Sequence, residues 1–179
     1  MNSAAVFGIS VVMSFVSSGV AATLYVWPRL RIMDRHQAIV SLVAPHMFLR
    51  FIGLSVLVPG VVSPLLPAAF AVPAAYGDFV TGILAIIATA ALSKRVPWAV
   101  AAVWLFNVWG MSDFGYAFLE GPRVLTDVGR FGAAFFIPTA VVPPLFVTHV
   151  LLFLLLLRPS REPVVGGADA GPLGTHAAA

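Results

Sequence analysis

The chain has 179 residues, of which 60% are hydrophobic and only 9% charged, with a formal net charge of +3 and a mean hydropathy of +1.01. A soluble domain carries roughly 25% charged residues, so this composition excludes an ordinary water-soluble globule and points to an all-α, multi-pass protein of the cell membrane. The Lys and Arg residues are scattered among short loops without a basic stripe, which excludes nucleic acid as a partner, and the absence of cysteine excludes disulfides, thiol catalysis, zinc–thiolate sites and iron–sulfur clusters.

Crossing the hydrocarbon layer takes about 20 apolar residues, and the sequence predicts five such helices. The first covers Ala4 to Trp27. No Lys or Arg precedes it and it exceeds the about 7–15 residues of a signal-peptide core, so it reads as a retained helix. Ser10, Ser14, Ser17 and Ala21 recur at helical spacing and are expected to form a small, weakly polar packing face. Pro28 is expected to end the helix, and Arg29, Arg31, Asp34, Arg35 and His36 follow as a charged connector.

A second helix is predicted from Ala38 to Val62, kinked where Pro45 frees the carbonyl of Ser41. The alternative is a basic amphipathic helix lying on the membrane over residues 29–44, which would leave four spans. Pro59, Gly60, Pro64 and Pro67 punctuate the next connection. The third helix, Pro73 to Ser93, carries Asp78, Thr81, Gly82, Ala85 and Thr89 down one face, and Lys94, Arg95 and Pro97 make a basic turn. The fourth, Trp98 to Leu119, puts Phe106, Trp109, Asp113, Tyr116 and Glu120 on one stripe. After a polar loop, Glu120 to Gly132, the fifth runs from Ala133 to Leu157 and includes Pro138, Pro143, Pro144 and His149. Residues 1–158 therefore read as one transmembrane domain, and residues 159–179, rich in Gly, Ala and Pro, as a disordered cytoplasmic tail.

Loop charge orients this bundle, because cytoplasmic loops hold the excess of Lys and Arg. With the N-terminus outside and the C-terminus inside, the inner segments collect Arg29, Arg31, Arg35, Lys94, Arg95, Arg158 and Arg161. The outer side keeps Arg123 and Arg130 beside Glu120 and Asp127.

The residues that bear on function are the ionisable ones inside these spans, which are costly in lipid and mark functional sites. At a rise of about 1.5 Å per residue, His46, Asn107 and His149 share an inner layer, Arg50 lies near mid-membrane, and Asp78 and Asp113 lie in the outer half. Burying Arg50 alone costs about 3–17 kcal/mol, so Asp78 or Asp113 is its expected counter-ion. His46 and Arg50 share a face through their four-residue spacing. Two histidines at matched depth also permit haem b ligation through His46 and His149. Trp27 and Trp98 sit at helix ends as interfacial anchors, whereas Trp104 and Trp109 lie deeper and are available to line a lipophilic pocket.

Three functions suit this pattern. The leading one is a pocket for a small or lipophilic molecule, lined by His46, Arg50, Asp78, Asn107, Asp113, Tyr116 and His149. The second is an intramembrane enzyme on a lipid, sterol or isoprenoid, with Asp113 or His149 moving a proton and Arg50 steadying negative charge. The third is a structural subunit in which polar residues only lock helices together. No phosphate loop, HExxH, GxSxG or EF-hand pattern occurs, and no metal site is expected. No inverted repeat is visible, so an ordinary secondary transporter would require a homo-oligomer. Membrane lipids are the remaining expected partner.

Overall fold

The computed structural model describes residues 2–124 and 127–158, so the predicted disordered tail lies outside the described residues. Five long helical elements follow one another: α1 (Ser3–Ile32), α2 (Arg35–Leu57), α3 (Ala68–Ser93), α4 (Ala99–Val124) and α5 (Ile137–Leu156). Four of them, α1, α2, α3 and α5, are long and apolar enough to cross a membrane. The 26 residues of α4 include Asn107, Asp113 and Glu120.

Helix α1 starts where the Asn2 side chain accepts a hydrogen bond from the Ala5 amide at 2.8 Å. Pro28 does not end it. A wide π-helical turn over Ala22–Val26 surrounds Leu24, whose carbonyl Pro28 has no N–H to reach, and the helix resumes as Trp27–Ile32. The predicted small face is corrected in part: Ser10 and Ser14 are half-buried, but Ser17 and Ala21 are exposed.

Asp34 caps α2 through the amides of His36 and Gln37, so α2 begins at Arg35, three residues before the sequence places it. The segment 29–44 is not one surface helix. It divides at Met33 between α1 and α2, and Ala38, Ile39, Leu42 and Val43 are buried in the bundle. Pro45 breaks α2 as expected. Beyond a short α-helical turn, His46–Leu49, the chain tightens into a 3₁₀ helix over Arg50–Leu57. That geometry has about three residues per turn, and the buried residues Arg50, Gly53 and Val56 recur at that period, all on the side packed against α3. The helix stops at Leu57 rather than Val62, ahead of a turn in which Gly60 takes a φ of 88°.

Helix α3 begins at Ala68, before the predicted Pro73, which it carries in its second turn. Helix α4 continues to Val124, so the first residues of the predicted Glu120–Gly132 loop are helical. A 3₁₀ segment, Val128–Phe135, then precedes α5, whose first turn, Ile137–Val141, is π-helical around Pro138. Gly132 has a φ of 51°, and a Cβ there would collide with the Val61 carbonyl, which accepts from the Ala133 amide at 2.8 Å. This contact and the Ser63 amide donating to the Arg130 carbonyl at 2.9 Å tie the 3₁₀ segment across that end of the bundle.

The antiparallel pair α3–α4 is packed most extensively, the 3₁₀ half of α2 lies on α3, and α1 lies against α5. Two apolar clusters result. One, toward the end carrying Lys94 and Arg95, includes Val43, Ala85, Val103, Phe106 and Leu152. The other, toward Pro59–Pro67, includes Val56, Phe70, Phe131 and Ile137.

Candidate functional site

Between the two clusters sits Arg50, its side chain 0% exposed, and every N–H of its guanidinium has an acceptor. One Nη1 hydrogen goes to Asp78 Oδ1 at 2.6 Å and the other to Asp113 Oδ2 at 2.8 Å. Nη2 donates to the Gly110 carbonyl at 3.2 Å and meets His149 Nε2 at 2.9 Å, and Nε donates to His46 Nδ1 at 3.5 Å. Arginine has five such donors, so the group is saturated. The Phe114 ring covers one face, with Cζ 3.8 Å from its centroid.

The partners of Arg50 are themselves fixed. Thr148 donates its hydroxyl hydrogen to the Leu145 carbonyl at 2.7 Å, so its oxygen accepts from His46 Nε2 at 2.8 Å, leaving Nδ1 to accept from Arg50. His149 Nδ1 donates to Asn107 Oδ1 at 2.6 Å, and the Asn107 amide donates to the His149 carbonyl at 3.3 Å. Each imidazole thus donates on one side and accepts from the guanidinium on the other, which is the pattern of a neutral ring with a defined tautomer. The two rings lie 4.5 Å apart by centroid, against Phe106.

On the other side of Arg50 lies a cavity of about 440 Å³. Its wall is apolar, formed by side chains such as Phe7 and Val12 of α1, Phe70 of α3, Phe118 of α4 and Val142 of α5, together with Phe131 of the 3₁₀ segment. Asp78 and Asp113 are the only polar side chains in that wall among the described residues. They are 16% and 9% exposed. Neither Asp78 Oδ2 nor Asp113 Oδ1 accepts a hydrogen bond among the described residues. Both carboxylates approach glycines closely, since a Cβ on Gly53 would overlap Asp78 and one on Gly77 would overlap Asp113. One guanidinium faces two carboxyl groups here, and the flanking histidines are engaged as neutral rings.

Of the residues singled out from the sequence, His46, Arg50, Asp78, Asn107, Asp113 and His149 converge on this network. Only the two aspartates reach the cavity. Tyr116 stands apart. Its hydroxyl donates to the Ala69 carbonyl at 3.0 Å, the acceptor that Pro73 leaves without a helical N–H. Trp109 is exposed rather than pocket-lining. Haem ligation through His46 and His149 does not fit: all four ring nitrogens are engaged and the rings are too close to admit a macrocycle between them. Sequence reasoning missed Thr148, Gly53, Gly77, Gly110 and Phe114. The small residues carried a weak signal, since glycines in membrane helices allow close approach.

These features define an all-helical bundle, with four helices apolar enough to cross a membrane, around a buried His/Arg/Asp network. Residues 6–157 match the family described as a domain of unknown function, DUF8737, and the chain belongs to that family. Neither a curated protein nor a solved structure matches it.

Proposed function

We propose that this protein is a multi-pass protein of the cell membrane that binds or moves a small lipophilic molecule in its intramembrane cavity. In this reading α4 is the fifth span. Its low hydropathy is no obstacle, because Asn107 and Asp113 turn inward to His149 and Arg50 rather than toward lipid. The N-terminus is outside and the C-terminus inside, in keeping with the cations at Arg29, Arg31, Arg35, Lys94, Arg95 and Arg158. The cavity then lies in the outer half.

The observation that carries the reading is a cavity of about 440 Å³ with a largely apolar wall and a polar end, the usual composition of a small-molecule site. Saturation of Arg50 changes its role from the one the sequence suggested. With no donor left for a ligand, it acts as the post that holds Asp78 and Asp113 in place. An enzyme using His149 as acid or base is disfavoured, because that ring is 0% exposed, engaged on both nitrogens and absent from the cavity wall.

Native mass spectrometry of the detergent-purified protein tests this. A small molecule should co-purify with the wild type and be lost from Gly8→Trp, since Gly8 lines the cavity and a Cβ there meets nothing within 4 Å. Equal occupancy in that variant would place the bound molecule elsewhere and sink the pocket reading.

A further inference from the structure

The composition of the cavity wall restricts the kind of molecule it accepts. Among the described residues its polar side chains are two carboxyl groups, and Arg50, the nearest described cation, has every donor engaged and contributes nothing to the wall. Among the described residues an anion would meet the two carboxyl groups and no side-chain donor beyond their one proton. A neutral polar ligand would find only the carboxyl oxygens and that one proton to replace its hydration. Small hard cations are poorly served as well, because they require about six or more oxygen ligands. A bulky apolar cation meets none of these objections. Phe7, Phe70, Phe114, Phe118 and Phe131 offer ring faces or edges around it, and Asp113, nine-tenths buried with Oδ1 unbonded, supplies the counter-charge.

We propose that this cavity takes lipophilic monocations, such as hydrophobic amines or quaternary onium ions, and releases one proton for each permanent cation bound. The inference rests on the pocket reading above and specifies its ligand. Charge balance supplies the exchange. Two carboxylates beside one guanidinium leave one negative charge in excess, and an uncompensated buried charge costs several kcal/mol. In the empty cavity that excess is neutralised by a proton on the carboxylate pair. When a permanent cation enters, the carboxylic O–H bond breaks, its electron pair stays on the carboxylate, and the proton leaves to solvent. Cation and proton compete for one charge. The ionisable groups around Asp113 are Arg50 and His46 from α2, Asp78 from α3 and His149 from α5, while the residues of α1 in the wall are all apolar.

The test uses full-length protein in zwitterionic lipid nanodiscs, with empty discs subtracting partition into lipid. The probes are radiolabelled tetraphenylphosphonium and its near-isosteric anion, tetraphenylborate. The wild type should bind the cation and not the anion, with Kd falling by up to about tenfold for each unit rise in pH, as one-proton linkage requires. Asp113→Asn keeps the shape of the side chain and an acceptor for Arg50, and should weaken the cation at least tenfold and abolish the pH dependence. Equal binding of both ions, or a cation affinity of the wild type that does not change with pH, would overturn the proposal. The latter measurement needs no variant to fold. Failure here while a neutral molecule co-purifies and is expelled by Gly8→Trp would overturn the charge assignment and leave the pocket standing.

Discussion

At the end of the bundle carrying Lys94 and Arg95, helices α2 to α5 are mostly regular and meet through small residues set against large ones. Ala85 and Ala88 of α3 face the same core as Val43, Val103, Phe106 and Leu152. At the opposite end the same four helices, together with α1 and the 3₁₀ segment, line a cavity. There α2 is 3₁₀-helical, α3 carries Pro73, α4 carries Pro122, and α5 opens with a π-turn around Pro138. Only α1 reverses the pattern, with its π-turn toward the dense end. The difference shows how a small bundle holds an open space without collapsing: one half fixes helix register and the other is relieved of that task. Arg50 stands at the border. It is anchored toward the dense half through His46–Thr148 and His149–Asn107, and it extends Asp78 and Asp113 into the hollow half.

The largest expected effect comes from breaking that border. Arg50→Met removes the shared partner of two carboxylates and two imidazoles, and loss of one member of a buried ionic network costs about 3–5 kcal/mol. The variant should lose its monodisperse elution in detergent or show a much lower thermal midpoint. Arg50→Lys should rescue little, because an ammonium has three donors and no fork with which to reach four side chains and a carbonyl. An Arg50→Met protein as stable as the wild type would show that the halves hold together without the hub.

A gentler pair of changes compares the halves directly with identical chemistry. Val103, 0% exposed, belongs to the dense core, and Val142 lines the cavity. In the proposed membrane setting lipid is as apolar as a protein core, so truncation loses packing rather than transfer from water. Val103→Ala opens a void where none exists and should cost about 1–2 kcal/mol. Val142→Ala enlarges a space already present and should cost under about 0.5 kcal/mol. Thermal midpoints of the two variants, measured side by side, decide the matter. Equal losses would mean that the hollow half bears as much of the fold as the dense one.

What was legible in the sequence follows the same division. Seven polar residues were grouped from helix assignment and expected depth, on the argument that charge in lipid leaves few alternatives. Six of them converge on Arg50 and its partners, while Tyr116 stands apart. Helix ends were less legible. Pro28 was expected to terminate α1, and Pro73 to open α3, but each is absorbed by a device invisible to local pattern, a π-turn in one case and a hydroxyl from another helix in the other. The cavity could not be read either. It lies beside irregular backbone over Arg50–Leu57 and Val128–Phe135, and Val56 and Phe131 line it while also belonging to an apolar cluster, a double role that local pattern does not show. Membership of Arg50 in the network was therefore readable, but the saturation of its five donors was not.

A small effect of the same order concerns one of those devices and tests whether the hollow half compensates its irregularities one at a time. Pro73 leaves the Ala69 carbonyl without its helical donor, and Tyr116 supplies one from α4 at 3.0 Å. Tyr116→Phe should cost about 0.6 kcal/mol, the average for a hydrogen bond between membrane helices. In a Pro73→Ala background the backbone N–H at position 73 can bond that carbonyl, and Tyr116→Phe should then cost almost nothing. The coupling in this double-mutant cycle should be about 0.5 kcal/mol, measurable as non-additive thermal midpoints. Additive losses would mean that the Tyr116 hydroxyl contributes for another reason, and that α3 tolerates Pro73 without help from α4. A positive coupling would instead separate Tyr116 from the proposed ligand site and give it the task of keeping α3 helical as it passes Phe70 and Ala74, which line the cavity.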